Sequence, residues 1–339
     1  MDRESPGAPS VSLHPLFVGA KISKICYAGE LQNKVDAYVL GTWNGRVNRV
    51  ALYNVYFGRA QVKPKDYFHK PAECVVESSV NDVFTAIAVA GLDNGDVVLF
   101  STAENKLHKL GAYANVHGTC GSTSLCIVDD ELLSGSDNGS IFRMDLGGQA
   151  KPSALAMGLT SVKGDGRLRR LRVHLWDVRQ VNPAISFEAP VFSKAVAPLN
   201  VQVTALDSHP GQRNVIAFGT SSGSVAFVDI RHYKQPTPSL LKVSQDPVQR
   251  VKFHPSFGDN CFALSDEFLL HLDPGAPIDE VTGRSRANVW LTASSWNLLQ
   301  INSLIADRPR LSTFDCSPHS LLVGSDTGSL SLITNTHFS

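Results

Sequence analysis

The feature that most constrains this chain is a short turn that recurs along it. In LLSGSDNGSIFRMDL (132–146), Asp-Asn-Gly separates two runs that alternate as strands do. Asn-Gly between such runs specifies a hairpin, because glycine enters the left-handed backbone region that the turn requires. The same shape returns in VAGLDNGDVVLFS (89–101), FGTSSGSVAFVDI (218–230) and VGSDTGSLSLIT (323–334), so the turn glycines are Gly95, Gly139, Gly223 and Gly328. A weaker copy, ALSDEFLLHLD (263–273), has Glu267 where glycine is expected. In every copy a polar residue follows the turn position by six: Ser101, Asp145, Asp229, Asp273 and Thr334. An even offset keeps that residue on one face of a strand. Two longer copies, GTWNGRVNRVALYN (41–54, turn glycine Gly45) and GDGRLRRLRVHLWD (164–177), carry insertions. The strand ends at 54, 101, 145, 177, 229, 273 and 334 are spaced by roughly 45 residues, the period of a four-stranded propeller blade.

These copies predict an all-β chain whose units run 20–58, 72–102, 120–147, 154–179, 200–231, 246–293 and 309–334. The expected architecture is a seven-bladed β-propeller over residues 11–339, preceded by a disordered tail at 1–10. The last unit has one strand too few before the chain stops. Residues 12–18 are therefore expected to supply an N-terminal strand that closes the last blade. Two approach strands end alike, TALDSHP (204–210) and VKFHPSF (251–257). Two segments break the rhythm: DPGAPIDEVTGRSRANV (273–289), long for a hairpin connection, and the proline-spaced PAISFEAPVFSKAVAPLN (183–200).

Bulk composition narrows the partners. The 339 residues carry a formal net charge of zero, with 43% hydrophobic residues, ample for a core. Neutrality argues against a direct nucleic-acid or acidic-membrane binder, which needs a basic surface. The N-terminus MDRESPGAPSVSLHP lacks the apolar run of a signal peptide, and no apolar stretch reaches membrane-spanning length. Cys26, Cys74, Cys120, Cys126, Cys261 and Cys316 mostly fall in strand-like runs. They read as reduced core thiols of a cytosolic or nuclear protein.

Residues able to do chemistry do not assemble into a site. His117, Cys120 and Cys126 lack the paired Cys-x-x-Cys of a zinc centre. Ser122, in CGSTS, has no Gly-x-Ser-x-Gly elbow, and GSDNGS lies between strands rather than before a helix. The expectation is a chain with no catalytic residue, metal, cofactor or small-molecule ligand. Candidate partner contacts are residues that interrupt the repeat without serving the core. They are Arg167, Arg169, Arg170 and Arg172 in GRLRRLR, and Arg284 and Arg286 in the 274–288 loop. Trp176 and Asp177 close one strand, where tryptophan packs between blades and aspartate caps the next turn.

The Trp176-Asp177 ending, the SDNG-type turns and the period resemble the WD40 repeat family. Read in order, KISKICY (21–27), LWDVRQ (175–180), PSLLKV (238–243), VKFHPS (251–256) and the final HFS resemble the small WD40 propellers of the Y-shaped outer-ring complex of the nuclear pore. Val228 and Glu267 depart from that pattern, where tryptophan and glycine are usual. The resemblance implies a non-catalytic scaffold nucleoporin at the nuclear envelope. It would dock on helical-solenoid and propeller subunits of that complex and support mRNA and protein transport. WDVR (176–179) and VDIR (228–231) also resemble the Trp-Asp-x-Arg box of substrate receptors of cullin-RING ubiquitin ligases. Under that alternative, Arg179 and Arg231 would contact the adaptor.

Overall fold

The computed structural model describes residues 14–31, 35–56, 61–70, 75–80, 86–128, 131–146, 153–157, 172–175, 185–188, 202–212, 214–232, 240–274, 289–291, 299–306 and 310–334. The chain divides into two compact units, one formed by residues 1–160, 178–182 and 312–337, the other by 161–177, 183–311 and 338–339.

The first unit begins with β1 (His14–Phe17). Three four-stranded antiparallel sheets come after it in chain order. The first contains β2 (Lys21–Leu31), β3 (Val35–Trp43), β4 (Asn48–Tyr56) and β5 (Gln61–Lys70). The second contains β6 (Val75–Val80), β7 (Ile87–Leu92), β8 (Val97–Ser101) and β9 (His108–Tyr113). The third contains β10 (Ser122–Val128), β11 (Glu131–Ser136), β12 (Ser140–Asp145) and β13 (Ser153–Met157). In the second unit β14 (Arg172–Leu175) pairs with β15 (Ile185–Glu188). Two full sheets come next: β16 (Val203–Ser208), β17 (Val215–Thr220), β18 (Ser224–Asp229) and β19 (Leu240–Lys242), then β20 (Arg250–Phe253), β21 (Cys261–Leu264), β22 (Leu269–Asp273) and β23 (Gln300–Ile305). Finally β24 (Leu311–Cys316), β25 (Ser320–Ser325) and β26 (Ser329–Thr334) join β1 in the first unit.

The blade count corrects the sequence expectation: the described residues form six four-stranded blades, not seven. Each unit read from the repeat supplied three strands and omitted the outermost one. The error became a miscount at 154–179, because β13 is the outer strand of the third blade rather than the approach strand of another. The remaining strand of that stretch, β14, forms a two-stranded ribbon with β15 among the described residues. The N-terminal strand does pair where expected, with His14↔Leu332, Leu16↔Leu330 and Phe17↔Ser329 in antiparallel register. The 1–10 tail lies outside the described residues.

Apolar strand faces fill the space between successive blades. In the first unit Ile22 and Ile25 pack with Leu322, Leu330 and Leu332, and Val39 and Leu52 with Ala88, Ala90 and Phe100. In the second, Val215 and Phe227 pack with Val251, Phe253 and Trp290. Trp290 stacks on Phe227 with ring centroids 4.3 Å apart and donates its indole N–H to the Gly258 carbonyl at 3.0 Å. First strands also latch onto the next blade through a Thr/Ser-x-x-Asp spacing. Asp315 accepts the Tyr27 N–H at 2.8 Å and Asp207 accepts the Phe253 N–H at 2.7 Å. Three residues earlier, Ser312 donates to the Ile22 carbonyl and Thr204 to the Val248 carbonyl. The two His-Pro endings share a turn: His209 Nδ1 accepts from the N–H groups of Gly211 and Gln212, and His254 Nδ1 from those of Ser256 and Phe257.

The turn at Gly223 shows why that position takes glycine. Its φ is +76°, and a Cβ there would collide with the Ser244 carbonyl and lie 2.6 Å from that of Asp246. Glu267 needs no such freedom, because its hairpin closes differently. Leu264↔Leu269 brackets a four-residue loop, and Ser265 N–H donates to the Phe268 carbonyl at 2.9 Å. The glycine hairpins are three-residue loops whose last residue is left-handed. Gly223→Ala is expected to cost about 2–3 kcal/mol of stability. Glu267→Gly should cost no more than about 1 kcal/mol. Denaturant unfolding of the two variants checks the contrast.

Among the described residues, four buried groups with shifted protonation act on the acid stability. Burial holds His117, His209 and His271 below the ordinary imidazole value. The unfolded chain takes up these protons near pH 6.5 while the folded chain resists, so stability falls as pH drops. Asp36 acts in the opposite sense: burial pushes its carboxyl up to about 6. Between about pH 6 and pH 4 the folded state therefore holds a proton that the unfolded state has lost, which raises stability as pH drops. From pH 7.5 to 5.5 the unfolded imidazoles titrate while Asp36 begins to take up its proton only from about pH 6, so the histidines set the sign. The thermal midpoint should fall from about pH 7.5 to about pH 5.5, and Asp36→Asn should steepen the fall by removing the opposing uptake.

Candidate functional site

The first blade is longer than its neighbour, and the difference opens a cleft. Gly41↔Val50 in β3–β4 corresponds to Gly91↔Val97 in β7–β8, since each glycine is the last paired residue before its turn. Among the described residues the second blade's ladder runs to Ile87↔Ser101, with one further bond from the Thr102 N–H to the Ala86 carbonyl at 2.6 Å, whereas the first continues to Val35↔Tyr56, two pairs beyond the equivalent of Ile87↔Ser101. Two residues of strand project about 7 Å. Beyond Leu52 the apolar packing between the two blades therefore stops, leaving a cleft of about 600 Å³ floored by Leu31, Val35 and Leu52. Such a volume lies in the range of ordinary ligand sites.

The cleft's mainly apolar lining is interrupted by polar and locally strained residues. Asn54, on β4, is only 2% exposed, yet its side-chain carbonyl has no hydrogen-bond partner. The side-chain carbonyl of Asn105, on the opposite wall, is also buried and unpartnered. An orphaned buried acceptor costs about 1–3 kcal/mol. The wall facing Asn54 holds three non-glycine residues in the left-handed region, Ala86 (φ 47°), Glu104 (φ 54°) and Asn105 (φ 60°). Strain of this kind persists where surrounding structure imposes it, and it gathers at functional sites. The register of β5 slips between Leu52↔Asp66 and Tyr53↔Pro64, so Lys65 is a bulged residue. It lines the cleft from the rim. Lys63 lies over the Tyr56 ring at 5.7 Å. Asp66, on the same strand, accepts the Leu107 N–H at 2.9 Å; that bond chiefly holds its carboxyl below the usual range.

A second exposed cluster surrounds Arg49. Its guanidinium donates to the Val18 carbonyl and lies 5.0 Å over the Tyr67 ring. Phe17, next to Val18, and Val47 and Tyr67 are all exposed. Arginine beside aromatic residues is the composition of protein interfaces.

Several residues singled out from sequence fall at turns and strand ends. Gly95, Gly139, Gly223 and Gly328 have φ of +82°, +82°, +76° and +80°. At the Gly45 turn the left-handed residue is instead Asn44, with φ 55°, and Gly45 donates its N–H to Asn48 Oδ1 at 3.0 Å. Asp145 pairs with Glu131, Asp229 with Val215 and Asp273 with Gln300, each at a strand end. Arg231 is exposed and folds back onto Asp229, its Nη2 2.6 Å from Oδ2. Arg172 begins β14. Arg167, Arg169, Arg170, Trp176, Asp177, Arg179, Arg284 and Arg286 lie outside the described residues.

His117, Cys120 and Cys126 do not converge. His117 bonds Ser140 Oγ and Ser134 Oγ through its two ring nitrogens, each at 2.8 Å, and Ser122 Oγ meets Ser134 Oγ at 2.7 Å. Among the described residues no group of His, Cys, Asp and Glu side chains could hold a metal ion. Asn54 and Asn105 were not read as site residues. The one available signal was Asn54 itself, a polar residue in the otherwise apolar run VALYNVY.

No family model matches the chain. Nucleoporin Nup43 of Homo sapiens is 28% identical to it over 181 residues, covering 46% of this chain and 46% of the relative. Nucleoporin Nup43 of Mus musculus is 29% identical over 123 residues, covering 36% and 30%. The chain thus spans less than half the length of these curated relatives. A chain of the mitotic checkpoint complex superposes with a TM-score of 0.66 at 16% identity, over 99% of both chains. A chain of the COPII coat assembled on membranes does so with a TM-score of 0.68 at 15% identity, over 93% of this chain and 47% of its own. At such identities these likenesses show the fold alone.

Proposed function

We propose that this WD40-type β-propeller, similar to nucleoporin Nup43 over part of its length, is a non-catalytic scaffold nucleoporin. It docks on other nucleoporins of the Y-shaped outer-ring complex and supports nucleocytoplasmic transport from the nuclear envelope. The observation that carries the reading is the partial identity to Nup43 in two species. Two features support it. Blades locked together by strand-to-strand latches present a rigid exterior, and the Phe17–Arg49–Tyr67 cluster offers anchors of the kind that dock proteins.

A fluorescent fusion of the full chain should mark the nuclear rim in interphase cells. Affinity purification should recover helical and propeller nucleoporins of the Y-shaped complex. Diffuse nuclear fluorescence contradicts the assignment. So does recovery of a cullin-RING adaptor that disappears with Arg179→Ala or Arg231→Ala.

A further inference from the structure

We propose that the cleft between the first two blades receives an extended acidic peptide segment of another protein, with an aliphatic side chain on the apolar floor. The inference rests on the cleft's own chemistry and holds whether or not the nucleoporin reading does. The floor of Leu31, Val35 and Leu52 asks for an apolar group. The buried side-chain carbonyls of Asn54 and Asn105 lack donors. Rotation about χ2, which is soft in asparagine, turns either amide toward an occupant. Main-chain N–H groups of an extended peptide are donors that suit two neutral acceptors lining one cleft.

Charge at the rim selects the sign of the flanking residues. Lys65 is a bulged residue on that rim, and among the described residues it makes no ion pair. Lys63 and Lys106 are both exposed: Lys63 stands next to Pro64 on the same strand, and Lys106 follows the Asn105 wall. Acidic residues beside the aliphatic one complement these amines.

The probe is a fluorescein-labelled, end-blocked peptide Asp-Glu-Leu-Leu-Asp-Glu, titrated with the full chain and followed by fluorescence anisotropy. Saturable binding is expected, weakened about tenfold or more by Asn54→Leu and by Lys65→Glu. Asn54→Leu should leave the thermal midpoint unchanged or higher, because it removes an orphaned buried carbonyl. Lys65→Glu, at an exposed position, tests the site without touching the core. The proposal is overturned by absence of saturable binding, or by binding that neither substitution weakens. Equal binding of Lys-Lys-Leu-Leu-Lys-Lys overturns it too. So does a midpoint lowered by Asn54→Leu, which would give that asparagine a structural role.

Discussion

Backbone pairing between His14–Phe17 and Ser329–Thr334 joins the two ends of the chain in one sheet, and the rest of the first unit is arranged around it. β24, β25 and β26 form a three-stranded blade whose outer edge would otherwise present unpaired N–H and C=O groups. β1 fills that edge, and Val18 N–H extends the ladder by donating to the Gly328 carbonyl at 2.8 Å. The chain then enters β2 at once, so the strand that completes the last blade is covalently tied to the first. Side chains reinforce the junction. Ile22 and Ile25 sit in one cluster with Leu322 and Leu332. Asp36, fully buried, accepts from Ser320 Oγ at 3.3 Å and from the Tyr27 hydroxyl at 3.4 Å.

A blade of four strands buries both faces only when a neighbour covers each, so repeat units stand or fall with their interfaces. The interfaces here use two devices in series. Apolar faces supply most of the burial, and the Asp315–Tyr27 and Asp207–Phe253 bonds fix one first strand against the next. A close match in strand length seals an interface. Where lengths differ, as between β4 and β8, the excess strand leaves the buried Asn54 side-chain carbonyl without a hydrogen-bond partner. The same mismatch that leaves Asn54 unsatisfied also makes room for another molecule. Function on such a scaffold arises from irregularity in the repeat, because the regular parts are already occupied with one another.

Much of the hairpin pattern could be read from single residues, since a left-handed turn is a local demand that glycine answers. Gly95, Gly139, Gly223 and Gly328 are of that kind. The blade count could not be read so directly. Outer strands face solvent along one edge and need no apolar alternation. β5 (QVKPKDYFHK) and β9 (HKLGAY) therefore read as connections, and β13 was drawn into the following unit. Trp290 escaped notice because it comes after a long polar loop, yet it returns to stack on Phe227. The latch spacing of Thr204–Asp207 and Ser312–Asp315 was in plain view, but its meaning depends on which strand lies alongside. Asn54 could be seen as polar in an apolar run. That it lacks a partner is a property of the neighbouring blade's length, which no local pattern carries.

The most direct measurement of the central claim, that one sheet unites both chain ends, is a cross-link within the folded protein. Phe17 and Ser329 are direct partners across the β1–β26 ladder, and opposed Cα atoms at about 4.5–5.5 Å suit a disulfide. The Phe17→Cys, Ser329→Cys double variant, oxidised in its native state and mapped by peptide mass, should yield the 17–329 link. It should also resist denaturant by about 5 kcal/mol more than the reduced form. Failure of the folded protein to form that link, with each cysteine separately reactive, would contradict the account.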